Sequence, residues 1–248
     1  MIQRVATFDL DRTLVRRIPD KTSIKVEAFD NALNKVFRLN GIKYLKCLGP
    51  ELYGMTDRPI VRSVLRNCGI TDAEIAAHID EVFAEIKRYF EAHRQQSSAY
   101  SYELLPGIRD LLGQMKAARV KIGLATGNMA LLAWWKVEGF GLREFFTFGG
   151  FGDDAEDRAA IIKIALKRSR AQYGQAENGF RAWHFGDSIA DIEAARAANV
   201  TSVAISAAGG GTHTKEDLLA AGAGLVVDSW SDREKIMSFL IGVDILPL

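Results

Sequence analysis

Cysteine is nearly absent from the chain: two in 248 residues. Cys47 and Cys68 have neither a CxxC nor a zinc-type spacing, so no thiolate metal site or dithiol redox motif is encoded. Reduced thiols in a cytoplasmic protein are the expected state, not a disulfide. Charge of one sign is not in excess either. The 32 Lys and Arg against 31 Asp and Glu leave a net charge of +1, which provides no field for nucleic acid or an acidic membrane. No apolar run is long enough to cross a bilayer. Met1-Ile2-Gln3-Arg4 leads straight into a strand-like segment, without the pattern of a secretory leader. Internal repeats and low-complexity tracts are missing as well. The remaining composition, 48% hydrophobic and 25% charged, is that of a globular chain with room for one large domain or two smaller ones.

Against that background one segment stands out: Val5-Ala6-Thr7-Phe8-Asp9-Leu10-Asp11-Arg12-Thr13-Leu14. Residues 5–8 read as a buried strand that runs into two acids. Alternate side chains share a face of a strand, so Asp9 and Asp11 start on the same side where the strand gives way to a loop. Two carboxylates that close repel unless a cation or a shared proton relieves them. Such a pair serves metal binding or acid–base chemistry. Taken alone it is equally compatible with a solvated loop.

Apolar, strand-like runs recur at 120–125, 145–148, 182–185, 200–205 and 225–227. Helical patterns separate them at 108–118, 129–138, 156–172, 189–198, 214–221 and 232–240. This alternation predicts an α/β fold, a parallel sheet with helices on both faces. Residues 16–103 break the rhythm with three amphipathic stretches: Ile24–Leu39, Pro59–Cys68 and Asp72–Phe90. In the third, Ile75, Ile79, Val82, Phe83, Ile86 and Phe90 fall at helical spacing, and Thr71-Asp72-Ala73-Glu74 forms a capping signature. The expected organisation is a core of residues 1–15 and 104–248 with a helical insertion at 16–103. The chain returns to the core near Leu105-Pro106-Gly107.

In a parallel sheet the carboxyl ends of the strands meet at one edge, where ligands bind. The second strand ends in Ala125-Thr126-Gly127-Asn128, a hydroxyl and free backbone N–H groups suited to a phosphate, or simply a helix cap. Another ends in Gly186-Asp187-Ser188-Ile189-Ala190-Asp191, which brings a second acidic pair to the same edge. Three or four carboxylates together call for a hard divalent cation, and Mg²⁺ fits oxygen ligands. Arg158 opens another helix and offers a cation for carboxylate or phosphoryl oxygens. Trp134, Trp135, Trp183 and His184 read as packing residues.

In this order the segments resemble the four motifs of the haloacid dehalogenase-like hydrolase superfamily, across essentially the whole chain. Motif one resembles Asp9-Leu10-Asp11-Arg12-Thr13-Leu14, motif two Thr126, motif three Arg158 and motif four Gly186 to Asp191. Many relatives carry Gly where this chain has Arg12, and most carry Lys where it has Arg158. The second acid, Asp11, is absent from true dehalogenases and so implies phosphate chemistry. The helical insertion resembles a cap between motifs one and two, and Gly54-Met55-Thr56-Asp57-Arg58 resembles a cap loop of phosphoglycolate-phosphatase-like members.

The resemblance implies a Rossmann-like core with an inserted α-helical cap and an Mg²⁺-dependent phosphatase acting on a small phosphorylated metabolite. Asp9 would be the nucleophile and Asp11 the acid–base. Asp9, Asp11, Asp187 and Asp191 would serve the metal, with Ser188 a further candidate for its shell. Thr126, Gly127, Asn128 and Arg158 would hold the phosphoryl group. Asp57 and Arg58 would contact the substrate from the cap. Cap closure is expected to raise the pKa of Asp11. A sugar phosphomutase and a non-catalytic phosphate-binding module are the alternatives. A monomer or homodimer is expected.

Overall fold

The structure is a computed structural model that describes residues 2–19, 21, 23–39, 41–47, 54–95, 101–174 and 179–242. Residues 48–53 and 96–100 of the expected insertion lie outside this set.

The first apolar run forms β1 (Gln3–Phe8), at the middle of a six-stranded sheet. On one side lie β4 (Lys121–Thr126) and β5 (Phe148–Phe151). On the other lie β6 (Phe180–Gly186), β7 (Thr201–Ile205) and β8 (Leu225–Val227). The order is β5-β4-β1-β6-β7-β8, and every pairing is parallel. The chain thus winds outward from β1 in one direction and later in the other. The loops after β1, β4 and β6 meet at that reversal, where open α/β sheets bind ligands. Helices α4 (Ile108–Ala117), α5 (Ala130–Gly139), α6 (Arg158–Tyr173), α7 (Ile189–Ala197), α8 (Lys215–Ala220) and α9 (Arg233–Ile241) connect or follow the strands. Phe8 and Phe185 stack at 4.3 Å between ring centroids just beneath the edge. The strand ends therefore rest on a rigid aromatic floor.

The three amphipathic stretches form α1 (Ile24–Val36), α2 (Asp57–Asn67) and α3 (Asp72–His93). Ser23 caps α1 by accepting from Val26 N, and Thr71 with Glu74 forms the expected capping box on α3. Phe29, Leu33, Val61, Leu65, Val82, Ile86 and Phe90 make the centre of their shared core. Met129 and Leu132 at the start of α5 join the same cluster, so it is sealed onto the edge of the sheet layer. Cys47 and Cys68 are free thiols within this region.

One local expectation needs correction. The strand expected at 145–148 lies three residues later, at Phe148–Phe151. Residues Arg143–Phe145 form a 3₁₀ turn instead. The strand is Phe-Gly-Gly-Phe, and its glycines conceal it from a propensity reading. They serve close packing: a Cβ on Gly150 would lie 2.2 Å from the Ile161 carbonyl oxygen of α6. Gly150→Ala is therefore expected to lower the melting temperature, at a cost of about 1–3 kcal/mol from forced displacement of α6. A thermal melt indistinguishable from the parent protein would refute this packing.

A short antiparallel ribbon of β2 (Val15–Arg17) and β3 (Tyr102–Leu104) lies apart from the main sheet, pairing Val15 with Leu104, Arg16 with Glu103 and Arg17 with Tyr102. It lies where the chain leaves the sheet and returns to it. The two connections are thus hydrogen-bonded to one another. Three-residue strands rich in charge carry no readable hydrophobic period.

Candidate active site

The sheet reversal delivers the expected acids to one place. Asp9 continues the β1 ladder by donating its N–H to Phe185 O at 2.8 Å, and its side chain is buried. Asp187 follows β6, and Asp191 sits in the first turn of α7. One oxygen from each of Asp9, Asp187 and Asp191 lies within 4.8 Å of the others. Arg158, the first residue of α6, inserts its guanidinium among them. Nη2 lies 3.3 Å from Asp9 Oδ1 and also contacts Asp191 Oδ1.

Asp191 organises the motif around it. Its Oδ2 accepts from Ser188 Oγ at 2.6 Å and from the N–H groups of Asp187 and Ser188 at 3.2 and 3.1 Å. Asp187 accepts from Thr13 Oγ1 at 3.4 Å and from Thr212 Oγ1. His184 is buried below, with Nδ1 3.0 Å from Thr7 Oγ1 and Nε2 3.5 Å from Asp191 Oδ1. It is a packing residue, as read, and it also braces Asp191.

Burial pushes the Asp9 carboxyl up to about 6; Arg158 opposes this, while Asp191 and Asp11 add to it. Burial, then the neighbouring Asp191 and Asp9, push Asp187 well above the usual range. Asp191 is held low, because Arg158 and His184 outweigh its burial. Three carboxylates with one guanidinium leave excess negative charge in a buried place. A divalent cation with oxygen ligands fits this donor set in both charge and chemistry.

Asp11 behaves differently. The strand ends at Phe8, so strand alternation does not carry its side chain into the cluster of three. Lys136 Nζ lies 2.6 Å from Asp11 Oδ1, and Asn128 Nδ2 donates to Oδ2 at 2.9 Å. Lys136 is 1% exposed, and its ammonium lies over the Tyr102 ring at 4.6 Å. Burial would raise Asp11, but Lys136 and Lys25 outweigh it and hold the carboxyl down at about 2. The expectation of a raised Asp11 under a seated cap is thus reversed, because that expectation left out both lysines. Arg12, next in the chain, has φ of 62°. This left-handed conformation is one that glycine adopts without steric cost.

The loop Thr126-Gly127-Asn128 forms one wall. Asn128 N donates to Thr126 Oγ1 at 3.4 Å, while the Asn128 side chain serves Asp11 rather than standing free. Its Oδ1 accepts from Lys25 at 2.9 Å and from Lys136 at 3.3 Å. Lys25, on α1, also pairs with Asp57 Oδ1 at 2.9 Å. Asp57 Oδ2 accepts from Met129 N at 3.2 Å. Asp57 therefore lines the cavity, already engaged with a lysine and a helix terminus. Arg58 does not line it. Its guanidinium pairs with Asp80 at 2.7 Å and lies over the Phe83 ring at 4.8 Å, within the helical insertion. One residue further along a helix turns a side chain by about 100°, enough to carry Arg58 away from the site that Asp57 faces.

Together these residues enclose a cavity of about 770 Å³. Its floor is Asp9, Asp187, Asp191, Thr126 and Arg158, and its upper wall includes Lys25, Tyr44, Met55 and Ile60. Lys25 and Lys136 were missed by sequence reasoning. Lys136 left one signal, a lone lysine amid Trp134, Trp135 and Val137.

Residues 6–205 match the sequence model of haloacid dehalogenase-like hydrolases, and the chain belongs to that family. Among curated relatives, a phosphoglycolate phosphatase of Chromobacterium violaceum is 26% identical over 234 residues, covering 94% of this chain and 96% of that protein. A phosphoglycolate phosphatase of Colwellia psychrerythraea is 26% identical over 208 residues, covering 82% and 84%. Among solved structures, a β-phosphoglucomutase from Clostridium difficile superposes with a TM-score of 0.64 at 20% identity, covering 97% of this chain and 98% of that one. That last likeness concerns the fold. No helix among the described residues is long and apolar enough to cross a membrane.

Proposed function

We propose that the chain is an Mg²⁺-dependent phosphatase that hydrolyses a small phosphate monoester through an aspartyl-phosphate on Asp9. The observation that carries this reading is the Asp9 carboxylate, buried 3.3 Å from Arg158 and grouped with Asp187 and Asp191 along one cavity. An oxygen of Asp9 attacks phosphorus, and the bond from phosphorus to the ester oxygen breaks. Asp11 gives its proton to the departing alkoxide. It then takes one from the water that attacks the acyl phosphate and releases inorganic phosphate.

Lys136 and Lys25 hold the Asp11 carboxyl low, which favours the ionised form needed for the second step. The negative charge of an arriving phosphate ester offsets Lys136 and Lys25, and so favours the protonated form needed for the first. Arg158 balances charge on Asp9 and the phosphoryl oxygens, and Thr126 with the backbone of Gly127 and Asn128 cradles the latter. Asp9, Asp187 and, through its neighbours, Asp191 would hold Mg²⁺, which shields the nucleophile from the phosphate's charge when bound. Residues 1–15 and 104–248 serve as the catalytic core, and 16–103 as the cap that sets specificity. Phosphoglycolate and sugar phosphates are the substrate class to try first.

The test is a panel of small phosphate esters scored for Mg²⁺-dependent phosphate release, with and without a sugar bisphosphate. Steady release without the bisphosphate supports a phosphatase. Isomerised sugar phosphate formed only with the bisphosphate supports a mutase instead. On the same panel, Lys25→Ala is expected to reorder the substrates, while Arg58→Ala leaves their order unchanged. A reordering by Arg58→Ala alone would show that the wrong cap residue has been assigned to the cavity.

A further inference from the structure

Arg158 has a second arm that the chemistry above does not use. While Nη2 meets Asp9 and Asp191, Nη1 donates to the backbone carbonyl of Gly54 at 2.9 Å. Gly54 belongs to the loop that precedes α2, 104 residues earlier in the chain. It has φ of +82°, and a Cβ there would lie 3.0 Å from Ala190 Cβ and 3.4 Å from Ser188 Oγ. The loop therefore touches the start of α7, where the fourth motif sits.

The same short loop seats on the other motif loops. Asp57 N donates to Gly127 O at 3.2 Å, and Met129 N donates back to Asp57 Oδ2 at 3.2 Å. Thr56 Oγ1 donates to Glu156 O at 2.9 Å, just before α6. A Cβ on Gly127 would lie 2.9 Å from Thr56 Cα. Residues 54–57 thus follow the contour of three core loops, and one side chain bonds both this loop and the nucleophile.

A guanidinium is a rigid plane whose two terminal nitrogens cannot be placed independently. A lysine ammonium is a single nitrogen and cannot occupy both positions. We propose that Arg158 makes seating of the cap loop and placement of the cation on Asp9 a single event. Gly54 is then a positioning residue that acts through Arg158. The inference rests on Asp9 being the reacting carboxylate, but its test does not use turnover.

The test is hydrogen exchange at the backbone amides of Asp57 and Met129, the two N–H groups that cross from loop to core. It uses the full chain as wild type, Arg158→Lys, Gly54→Ala and the double variant. Loss of one charge-assisted hydrogen bond is expected to speed exchange at both amides about tenfold in each single variant. Amides in the middle of β1 and β6 should not change. The double variant should exchange no faster than the faster single variant, since both break one link. Unchanged exchange in Arg158→Lys, or single effects that multiply in the double variant, would overturn the coupling.

Should Arg158→Lys not fold, the side-chain nitrogen resonances of Arg158 give the second reading. Gly54→Ala is expected to shift and broaden them, and unchanged resonances would overturn the proposal. A wild-type protein that released no phosphate from any ester would remove the proposed function, yet would leave this outcome readable.

Discussion

Asp9→Asn is expected to abolish phosphate release while leaving the protein folded. The substitution keeps the volume and one oxygen acceptor opposite Arg158, but an amide does not displace an alkoxide from phosphorus. Loss of a covalent nucleophile acts on a scale of about 10⁴-fold or more. Stability should hold or rise, because Asp9 is a buried carboxyl pushed up to about 6 in contact with further carboxylates. Neutralising it gives up the ion pair with Arg158, but it also relieves the burial of a charge and the repulsion from Asp191 and Asp11, which together outweigh that pair. Phosphate release and a thermal melt on the same sample, checked by mass spectrometry for deamidation back to Asp, decide the matter. Activity above about one per cent of wild type would show that another group attacks phosphorus.

Removal of divalent metal is expected to have an effect of the same order. Exhaustive chelation should stop turnover and Mg²⁺ should restore it, while Asp187→Ala should demand about 100-fold more Mg²⁺ or fail to recover. The acids also predict how stability depends on pH without added metal. Burial raises Asp9 to about 6 and Asp187 to about 8, above their ordinary value of 3.8. The stability tied to their protonated forms is complete below about pH 4 and is lost as pH rises through those raised values. Asp11, held at about 2, and Asp191, held lower still, act in the opposite sense, but only in more acidic solution. The melting temperature should therefore fall between about pH 5 and pH 8 in chelator and stay level in Mg²⁺, which favours the charged forms. Equal slopes in chelator and Mg²⁺ would contradict a cation site at Asp9, Asp187 and Asp191.

Much of this architecture was legible because the core strands carry the pattern that burial demands. The runs before Asp9, Thr126 and Asp187 are apolar, short and followed by polar or glycine residues, so both strand and strand end could be read. β5 was misplaced because Gly149 and Gly150 have no side chain for a propensity argument to count, and the reason for Gly150 is the close passage of α6 at Ile161, which the local pattern does not show. Lys25 and Lys136 were missed for a different reason. A lysine on a helix usually faces water, and nothing nearby in the chain shows that Asp11, 125 residues before Lys136, comes within 2.6 Å of it. Arg58 was drawn into the site by its closeness in sequence to Gly54, whereas helical rotation and Asp80 take it elsewhere. The expectation for Asp11 failed with the lysines, since a carboxyl's pKa depends on charges that topology alone brings together.

If Asp9 is the nucleophile, phosphorus passes through its carboxylate. Acid quenching during turnover of a phosphate ester, followed by borohydride reduction and peptide mass spectrometry, reads this directly, because reduction converts an aspartyl-phosphate to homoserine. Homoserine at position 9, in wild type but not in Asp9→Asn, is the expected result. Turnover that proceeds with Asp9 unmodified, or with the label on Asp11, Asp187 or Asp191, would contradict it.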